Sequence, residues 1–182
     1  MNRRTMLQSL TALAALPLIP ACSRAASLPA SVAGGAAAGA AAGAVTMLER
    51  PETFWRDLVS PAAYEVLFEE DTEPSGSSPL DQEKRAGTFV CAACRLPLFN
   101  SADKFDSGTG WPSFTRPVAG HMQTKKDFKL VWPRTEYHCA RCGGHQGHVF
   151  NDGPAPRGER WCNNGLALMF VPQGQALPAL RG

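Results

Sequence analysis

One cysteine near the end of the chain stands apart from the others in the folded part of the sequence. Four cysteines occur in two CxxC pairs, CAAC and CARC, whereas Cys162 lies alone in RWCNNG. His145, His148, Asp152 and Arg160 lie in the eighteen residues that end at this cysteine. A thiolate is a nucleophile, and histidine exchanges protons near neutral pH. The group therefore indicates a nucleophilic thiol beside a proton donor.

The position of Arg160 favours this interpretation. Residues two apart on an extended strand point to the same side, so Arg160 would lie beside Cys162 and bias it toward the thiolate. The alternative is a buried, inert cysteine, a common core residue. Taken singly, His145 and His148 are more typical of structural groups at a turn, and metal ligation by them is weakly indicated. Their grouping with Cys162 favours catalysis.

The two CxxC pairs predict a metal site. Cys91, Cys94, Cys139 and Cys142 supply four thiolates in two turn-like segments, the pattern of a tetrahedral zinc site. The 44 residues between the pairs exceed the ~15–20 of a compact zinc ribbon. Closing the longer loop adds little, about 0.6 kcal/mol per doubling of its length. We expect one structural Zn²⁺ that clamps two separate parts of one sheet.

Other roles for the pairs stay open. An exported protein could form two disulfides instead. A thioredoxin-like redox motif needs a βαβ context, which this sequence lacks. Haem attachment is excluded because neither pair is followed by histidine.

The elements that position these residues are mainly strands. The 182 residues suffice for one domain with a core, and 15 prolines with 17 glycines favour many turns. Ser60 and Pro61 predict a helix start within a segment of one or two short helices that cover the edge of a later sheet. Residues 130–132 and 166–171 suit strands. The sequence predicts a β-dominated domain with helices in front, at residues 49–174, and a tail at 175–182.

The first residues are typical of an export signal. Arg3 and Arg4 precede an apolar run too short to span a bilayer, as in a twin-arginine signal at 1–21. Cys22 follows IPA, which resembles a lipoprotein site, with ordinary cleavage or a mobile thiol as alternatives. Residues 22–48 are rich in Ala and Gly and predict a flexible tether. We expect an exported protein of the periplasm or cell envelope, with a membrane tether through Cys22.

The charge balance excludes some partners. The chain has 18 basic and 16 acidic residues, and loss of Arg3 and Arg4 leaves 16 of each. Nucleic acid and anionic membranes require a basic face, so neither is expected as a partner.

Several segments, taken in order, carry a family resemblance. CAACRLPLFNSADKFDSGTGWPSF, CARCGGHQGHVFNDGP and RWCNNGLAL resemble the B-type methionine sulfoxide reductases, as do TEPSGSSPL and EKRAGTFVC. The resemblance spans about 121 residues, from Glu52 to Pro172. It implies two antiparallel sheets with N-terminal helices, held by a Cys₄ zinc. It also implies reduction of methionine-R-sulfoxide in proteins or peptides, which repairs oxidised proteins. We expect a monomer.

The resemblance assigns roles to single residues. Cys162 would attack the sulfoxide sulfur and become a sulfenic acid, which thiols can reverse. His145 and His148 would position and protonate the sulfoxide oxygen or a water beside it. Trp111 and Phe150 would bind the substrate, with Trp111 holding its methyl group. The remaining residues support the polar network and the thiolate: Asn164, Asp152 and Arg160.

The sequence departs from the family pattern at three positions. Thr109 stands where many members carry a resolving cysteine, so we expect an external, thioredoxin-like thiol to reduce the sulfenic acid. Gly165 replaces a common serine, and Asn163 replaces an apolar residue. Two other functions remain as alternatives: a zinc-stabilised binding module without catalysis, and a general thiol–disulfide oxidoreductase.

Overall fold

The structure, a computed structural model, describes residues 45–128 and 133–182. Within these ranges the α-helix α1 spans Pro61–Phe68. The strands are β1 Gly87–Cys91, β2 Pro97–Asn100, β3 Lys104–Phe105, β4 Ser113–Phe114, β5 Met122–Asp127, β6 Arg134–Cys139, β7 His145–Phe150, β8 Arg160–Asn163 and β9 Leu168–Pro172. Short 3₁₀ helices cover Glu52–Trp55, Pro79–Gln82, Ser101–Asp103 and Gly165–Ala167. No helix in the described ranges is long and apolar enough to cross a membrane.

Some predictions fall elsewhere in the chain. The export signal at 1–21, Cys22 and most of the tether at 22–48 lie outside the described residues, as does the whole of the strand predicted at 130–132. The strand predicted at 166–171 is present as β9, which begins two residues later, after a 3₁₀ turn.

Helix α1 begins where the sequence predicted. The Ser60 hydroxyl accepts a hydrogen bond from the Ala63 amide at 3.2 Å, and Pro61 occupies the first helical position. Its buried side chains include Tyr64 and Leu67. The helix packs against β7, an interior strand of its sheet, and not against a sheet edge as the sequence had suggested.

The strands form two antiparallel sheets, which confirms the expected fold class. Three strands form one sheet in the order β2-β1-β9, and six form the other in the order β3-β4-β8-β7-β6-β5. Aromatic side chains fill the space between them. Phe99 from the small sheet stacks on Phe114 from the large one with ring centroids 4.0 Å apart, and Phe89 meets Phe114 edge-on at 5.0 Å. These contacts bury the middle of one face of the six-stranded sheet.

Candidate active site

The opposite face of the six-stranded sheet carries a row of polar side chains. Ser113 on β4 lies opposite Cys162 on β8, which lies opposite His148 on β7. The row continues through Glu136 on β6 to Lys125 on β5. Directly opposed residues of antiparallel strands have side chains on the same face, so strand register alone brings the thiol and the imidazole together. Trp161, next to Cys162 along β8, points the other way and packs on Tyr137 in the core.

A small cleft lies beside Cys162. Its volume is about 120 Å³, enough for the end of a side chain. Five residues predicted from the sequence line it: Cys162, His148, Trp111, Phe150 and Asn164. Four that were not predicted complete the lining: Thr72, Arg134, Gly147 and Asn163. Two aromatic walls and a thiol suit an apolar, sulfur-containing group.

Opposing effects act on the Cys162 thiol. Burial raises its pKa above the ordinary value, because the thiolate is poorly solvated there. Arg160 lowers the pKa, as do the hydroxyls of Thr109 and Ser113, but together they do not outweigh burial. Ser107 joins the two hydroxyls, with Oγ 2.8 Å from Thr109 Oγ1 and 2.7 Å from Ser113 Oγ. Arg160 therefore lowers the pKa of Cys162, as the sequence predicted, but its effect is smaller than the opposing effect of burial.

This balance predicts a pH dependence. A raised pKa means less thiolate at a given pH, so alkylation of Cys162 by iodoacetamide should still be accelerating at pH 9, the ordinary thiol value. Arg160→Gln should move the profile to still higher pH, because a lowering influence is lost. Mass spectrometry of the peptide containing Cys162 would measure the rate. A plateau already reached at pH 7 would contradict the predicted direction.

His148 is held by an acidic partner. Its Nε2 lies 3.0 Å from Asp127 Oδ2, and Arg134 donates to the same oxygen at 2.6 Å. Burial lowers the pKa of His148 in spite of Asp127, so the ring is mainly neutral at pH 7. Because a carboxylate only accepts, the neutral ring donates from Nε2 and keeps Nδ1 as the acceptor. Asp127 thus sets which nitrogen of His148 is available to a ligand.

His145 lies behind the cleft. Its side chain is 1% exposed, its Nδ1 is 2.6 Å from Glu136 Oε1, and its ring centroid is 5.5 Å from that of His148. Glu136 also contacts His138 Nε2 at 3.1 Å. The structure therefore brings His148 to the cleft wall and gives His145 a supporting position next to it.

Arg160 and Asp152 form a pair at the edge of the cleft. The guanidinium donates from Nε and Nη2 to the two carboxylate oxygens at 2.8 and 2.9 Å, and its Cζ lies 4.2 Å from the centre of the Phe150 ring. The hydrogen bonds from Arg160 lower the pKa of Asp152. Asp152 is largely exposed and does not line the cleft. It acts on the site through Arg160, which in turn backs the aromatic wall.

Two asparagines fix the chain after Cys162. Asn163 is fully buried, accepts a hydrogen bond from the Tyr137 hydroxyl at 2.9 Å and donates to the Asn164 carbonyl at 2.7 Å. The Asn164 amide donates to the Gln146 carbonyl at 2.8 Å. Asn163, which replaces an apolar residue of the family pattern, is therefore accommodated by Tyr137. A buried amide without such partners would be unfavourable.

The glycine at position 165 also has a local cause. A Cβ at Gly165 would overlap the Ser78 side chain. Ser78 itself caps the 3₁₀ helix Pro79–Gln82 by accepting a hydrogen bond from the Leu80 amide at 3.2 Å. The serine common at this position in the family would therefore clash with Ser78, whose hydroxyl occupies the same space.

Sequence reasoning missed three acidic residues of this region. Glu136 and its strand neighbours Arg134 and His138 alternate with less polar positions, a period-two pattern that marks one face of a strand and could have been noticed. Asp127 has no such signal, because β5 ends in three consecutive charged residues, Lys125, Lys126 and Asp127. Glu73, which lies beside the cleft, has none, because its contacts are with residues about 90 positions later.

The two CxxC segments fold alike. In each, the first cysteine ends a strand and a residue with positive φ follows the second: Arg95 at 66° and Gly143 at 75°. The amides of these residues donate to the carbonyls of Cys91 and Cys139 at 3.0 and 2.9 Å. Cys91 belongs to the small sheet and Cys139 to the large one, so the cysteines join two sheets, not two parts of one sheet as predicted from spacing.

The four thiols fit a metal ion. Their Sγ atoms all lie within 4.8 Å of one another, with Cys91–Cys142 at 3.6 Å and Cys94–Cys139 at 3.5 Å. Tetrahedral Zn–S bonds of about 2.3 Å place sulfurs about 3.8 Å apart, whereas a disulfide requires about 2.05 Å. Four thiolates fill a tetrahedral shell, so a metal held here would have no open position for chemistry.

Comparison with known proteins agrees with this geometry. The SelR domain model matches residues 59–172, more than half of the chain. A peptide methionine sulfoxide reductase MsrB of Bradyrhizobium diazoefficiens is 49% identical over 125 residues, 68% of this chain and 90% of that protein. Proteins of the same name from Pseudomonas putida and Leptospira interrogans are 46% and 45% identical, over 67% and 64% of this chain and 92% and 89% of theirs.

The matched region contains the cleft, the polar row and both CxxC segments. With that coverage and identity, the chain belongs to the SelR-domain family of MsrB-type peptide methionine sulfoxide reductases.

Proposed function

We propose that this protein reduces methionine-R-sulfoxide in proteins and peptides with Cys162 as the nucleophile. The observation that carries the proposal is Cys162 at the wall of a small aromatic cleft, opposite His148 on the next strand. Its relatives named MsrB support the same reaction class.

The reaction balances on one thiol. Cys162 Sγ attacks the sulfoxide sulfur, the sulfoxide oxygen is transferred to the cysteine sulfur, and methionine leaves with two additional electrons. The enzyme is left as a sulfenic acid. Two equivalents of an external thiol then restore the Cys162 thiol, releasing a disulfide and one water.

The cleft residues divide the binding task. Trp111 and Phe150 enclose the S-methyl group, and the polar end of the sulfoxide faces His148. His148 is held by Asp127, and His145 supports it from behind. Nδ1 of the neutral His148 ring accepts the proton of the Cys162 thiol, directly or through water, and the ring then passes this proton to the sulfoxide oxygen.

Resetting requires a partner. Among the described residues the cysteines are Cys162 and the four of the CxxC segments, which are grouped for metal binding. Position 109, near Cys162, is threonine and cannot form a disulfide. We infer that an external thioredoxin-like thiol reaches the sulfenic acid directly. The protein acts as a monomer.

The metal is assigned as one structural Zn²⁺. Cys91, Cys94, Cys139 and Cys142 would hold it, and its contribution would be to tie the two sheets together. The sulfur spacing and the all-thiolate donor set support zinc.

We propose that the protein carries out this repair in the cell envelope. Arg3-Arg4 and the following apolar run support export, and Cys22 supports a lipid tether. Fusing residues 1–21 to a reporter protein would test the export route. The double change Arg3→Lys, Arg4→Lys in the same fusion should block export by a twin-arginine pathway.

Stereochemistry gives the direct test of the reaction. Purified protein with dithiothreitol should convert N-acetyl-methionine-R-sulfoxide to N-acetyl-methionine and leave the S epimer essentially untouched. Chiral chromatography of the remaining sulfoxide measures both rates in one sample. Turnover of only the S epimer would overturn the assignment, and turnover of neither would favour a binding protein.

A further inference from the structure

Glu73 connects two parts of the cleft that are far apart in sequence. Its backbone carbonyl accepts a hydrogen bond from Trp111 Nε1 at 3.1 Å. Its carboxylate accepts from the amides of Gly165 and Leu166 at 2.6 and 2.8 Å. Its own amide donates to Asn164 Oδ1 at 3.2 Å.

These contacts occur in a buried setting. Glu73 is 3% exposed, so the carboxylate has exchanged water for the two backbone amides. A buried carboxylate is unfavourable unless it is hydrogen-bonded, and bonds to an ionised acceptor are among the stronger ones. The carboxylate therefore fixes both its own position and that of the 165–166 backbone. Any movement of this loop moves the residue whose carbonyl orients Trp111.

Glu73 does not line the cleft of Cys162, but two of its four hydrogen-bonded partners do. Trp111 forms one wall, and Asn164 forms part of another, two residues after the thiol. Thr72, the residue before Glu73, also lines the cleft. The distance between Trp111 and Cys162 therefore depends on the hydrogen bonds that run from Trp111 through Glu73 to the 165–166 backbone. We call this connection the bridge.

We propose that Glu73 is a positioning residue that holds Trp111 at a fixed distance from the Cys162 loop and thereby sets the size of the S-alkyl group the cleft accepts. This rests on the proposed function, since it assumes that Trp111 encloses the S-methyl group. The bridge keeps the cleft narrow, which favours methyl over larger groups. A loosened bridge widens the cleft and misplaces methyl sulfoxides.

Glu73→Gln tests the bridge with little change in volume. Glutamine keeps one carbonyl oxygen for the Gly165 amide but presents NH₂ to Leu166, so one attachment is lost and a donor faces a donor. We expect kcat/KM for N-acetyl-methionine-R-sulfoxide to fall by about 10-fold to 100-fold, because misplacement by ~1 Å costs about that much. The rate for the ethionine counterpart should fall much less, so the methyl-to-ethyl preference should shrink.

Glu65→Gln is the matched control, because Glu65 is an exposed glutamate on α1. It removes the same charge and should leave both rates unchanged. If Glu73→Gln lowers the two rates in equal proportion, the residue supports the loop without setting the cleft width, and the proposal is overturned. Far-UV circular dichroism and metal content establish that the variant is folded.

A second measurement tests the same bridge from its other end and needs no change at Glu73. Trp111→Phe removes the indole N–H that donates to the Glu73 carbonyl. If the parts are coupled, hydrogen exchange of the Gly165 and Leu166 amides should accelerate by about 10-fold, since the carboxylate that protects them is less fixed. Unchanged protection would refute the coupling. This readout is independent of turnover, so it remains informative even if the wild-type protein failed to reduce either sulfoxide.

Discussion

Replacing Cys162 by serine is expected to lower methionine-R-sulfoxide reduction with dithiothreitol by about 10³-fold or more. Serine is nearly isosteric with cysteine, and the side chain is half-buried opposite Ser113 and His148. The hydroxyl is a poor nucleophile at neutral pH and cannot form a sulfenic acid. Because dithiothreitol reduces the enzyme directly, the loss cannot arise from a missing protein reductant. Production of N-acetyl-methionine, followed by chromatography, is the measurement.

The same variant must retain the fold for this result to be meaningful. Cys162 lies on β8, apart from the four grouped thiols, so Cys162→Ser should keep the wild-type metal content and melting temperature. Dimedone, which labels sulfenic acids, should mark the wild-type protein after one turnover without reductant and should not mark the variant. Full activity in Cys162→Ser would show that another group carries the reaction.

The sequence predicted the parts of this protein that depend on local spacing. The turn at each CxxC pair, the cap at Ser60 and the single thiol in RWCNNG are properties of a few adjacent residues. The turns and the helix cap could be predicted before any contact was known, and Cys162 could be recognised as the thiol outside the two pairs. The β-dominated architecture followed from dense turn residues, and the two antiparallel sheets followed from the family resemblance.

The remaining features depend on register and on long-range contacts. His145 and His148 are three residues apart and would point to opposite faces of a regular strand, but a shift in the β6–β7 register between Tyr137 and His138 puts His145 opposite His138, on the face of Glu136. His148 then opposes Cys162, and His145 lies against Glu136. Similarly, spacing cannot tell whether two CxxC pairs join one sheet or two, because this depends on where β1 and β6 are placed in the fold.

The grouped cysteines lead to the second large effect. Cys139→Ser should reduce the bound metal from about one equivalent to near zero, because an exchanged ligand leaves three thiolates and a weakly binding hydroxyl. Cys139 is fully buried at the end of β6, and its partner Cys94 follows β1 in the other sheet. Loss of the metal therefore removes a link between sheets and leaves buried thiols in close contact. We expect a loss of several kcal/mol from a total stability of about 5–15 kcal/mol.

Elemental analysis of purified protein would measure the metal, and urea unfolding would measure the stability. The comparison with Cys162→Ser is the decisive control, since both variants exchange one thiol for one hydroxyl. Cys139→Ser should lose metal and stability while keeping its nucleophile. Cys162→Ser should lose activity while keeping its fold. Retention of metal and stability in Cys139→Ser would rule out the structural role of the site. If the two effects separate as expected, catalysis and stability depend on different cysteines of one domain. The six-stranded sheet then carries the reactive Cys162 on one face, and a metal at the end of β6 links it to the three-stranded sheet.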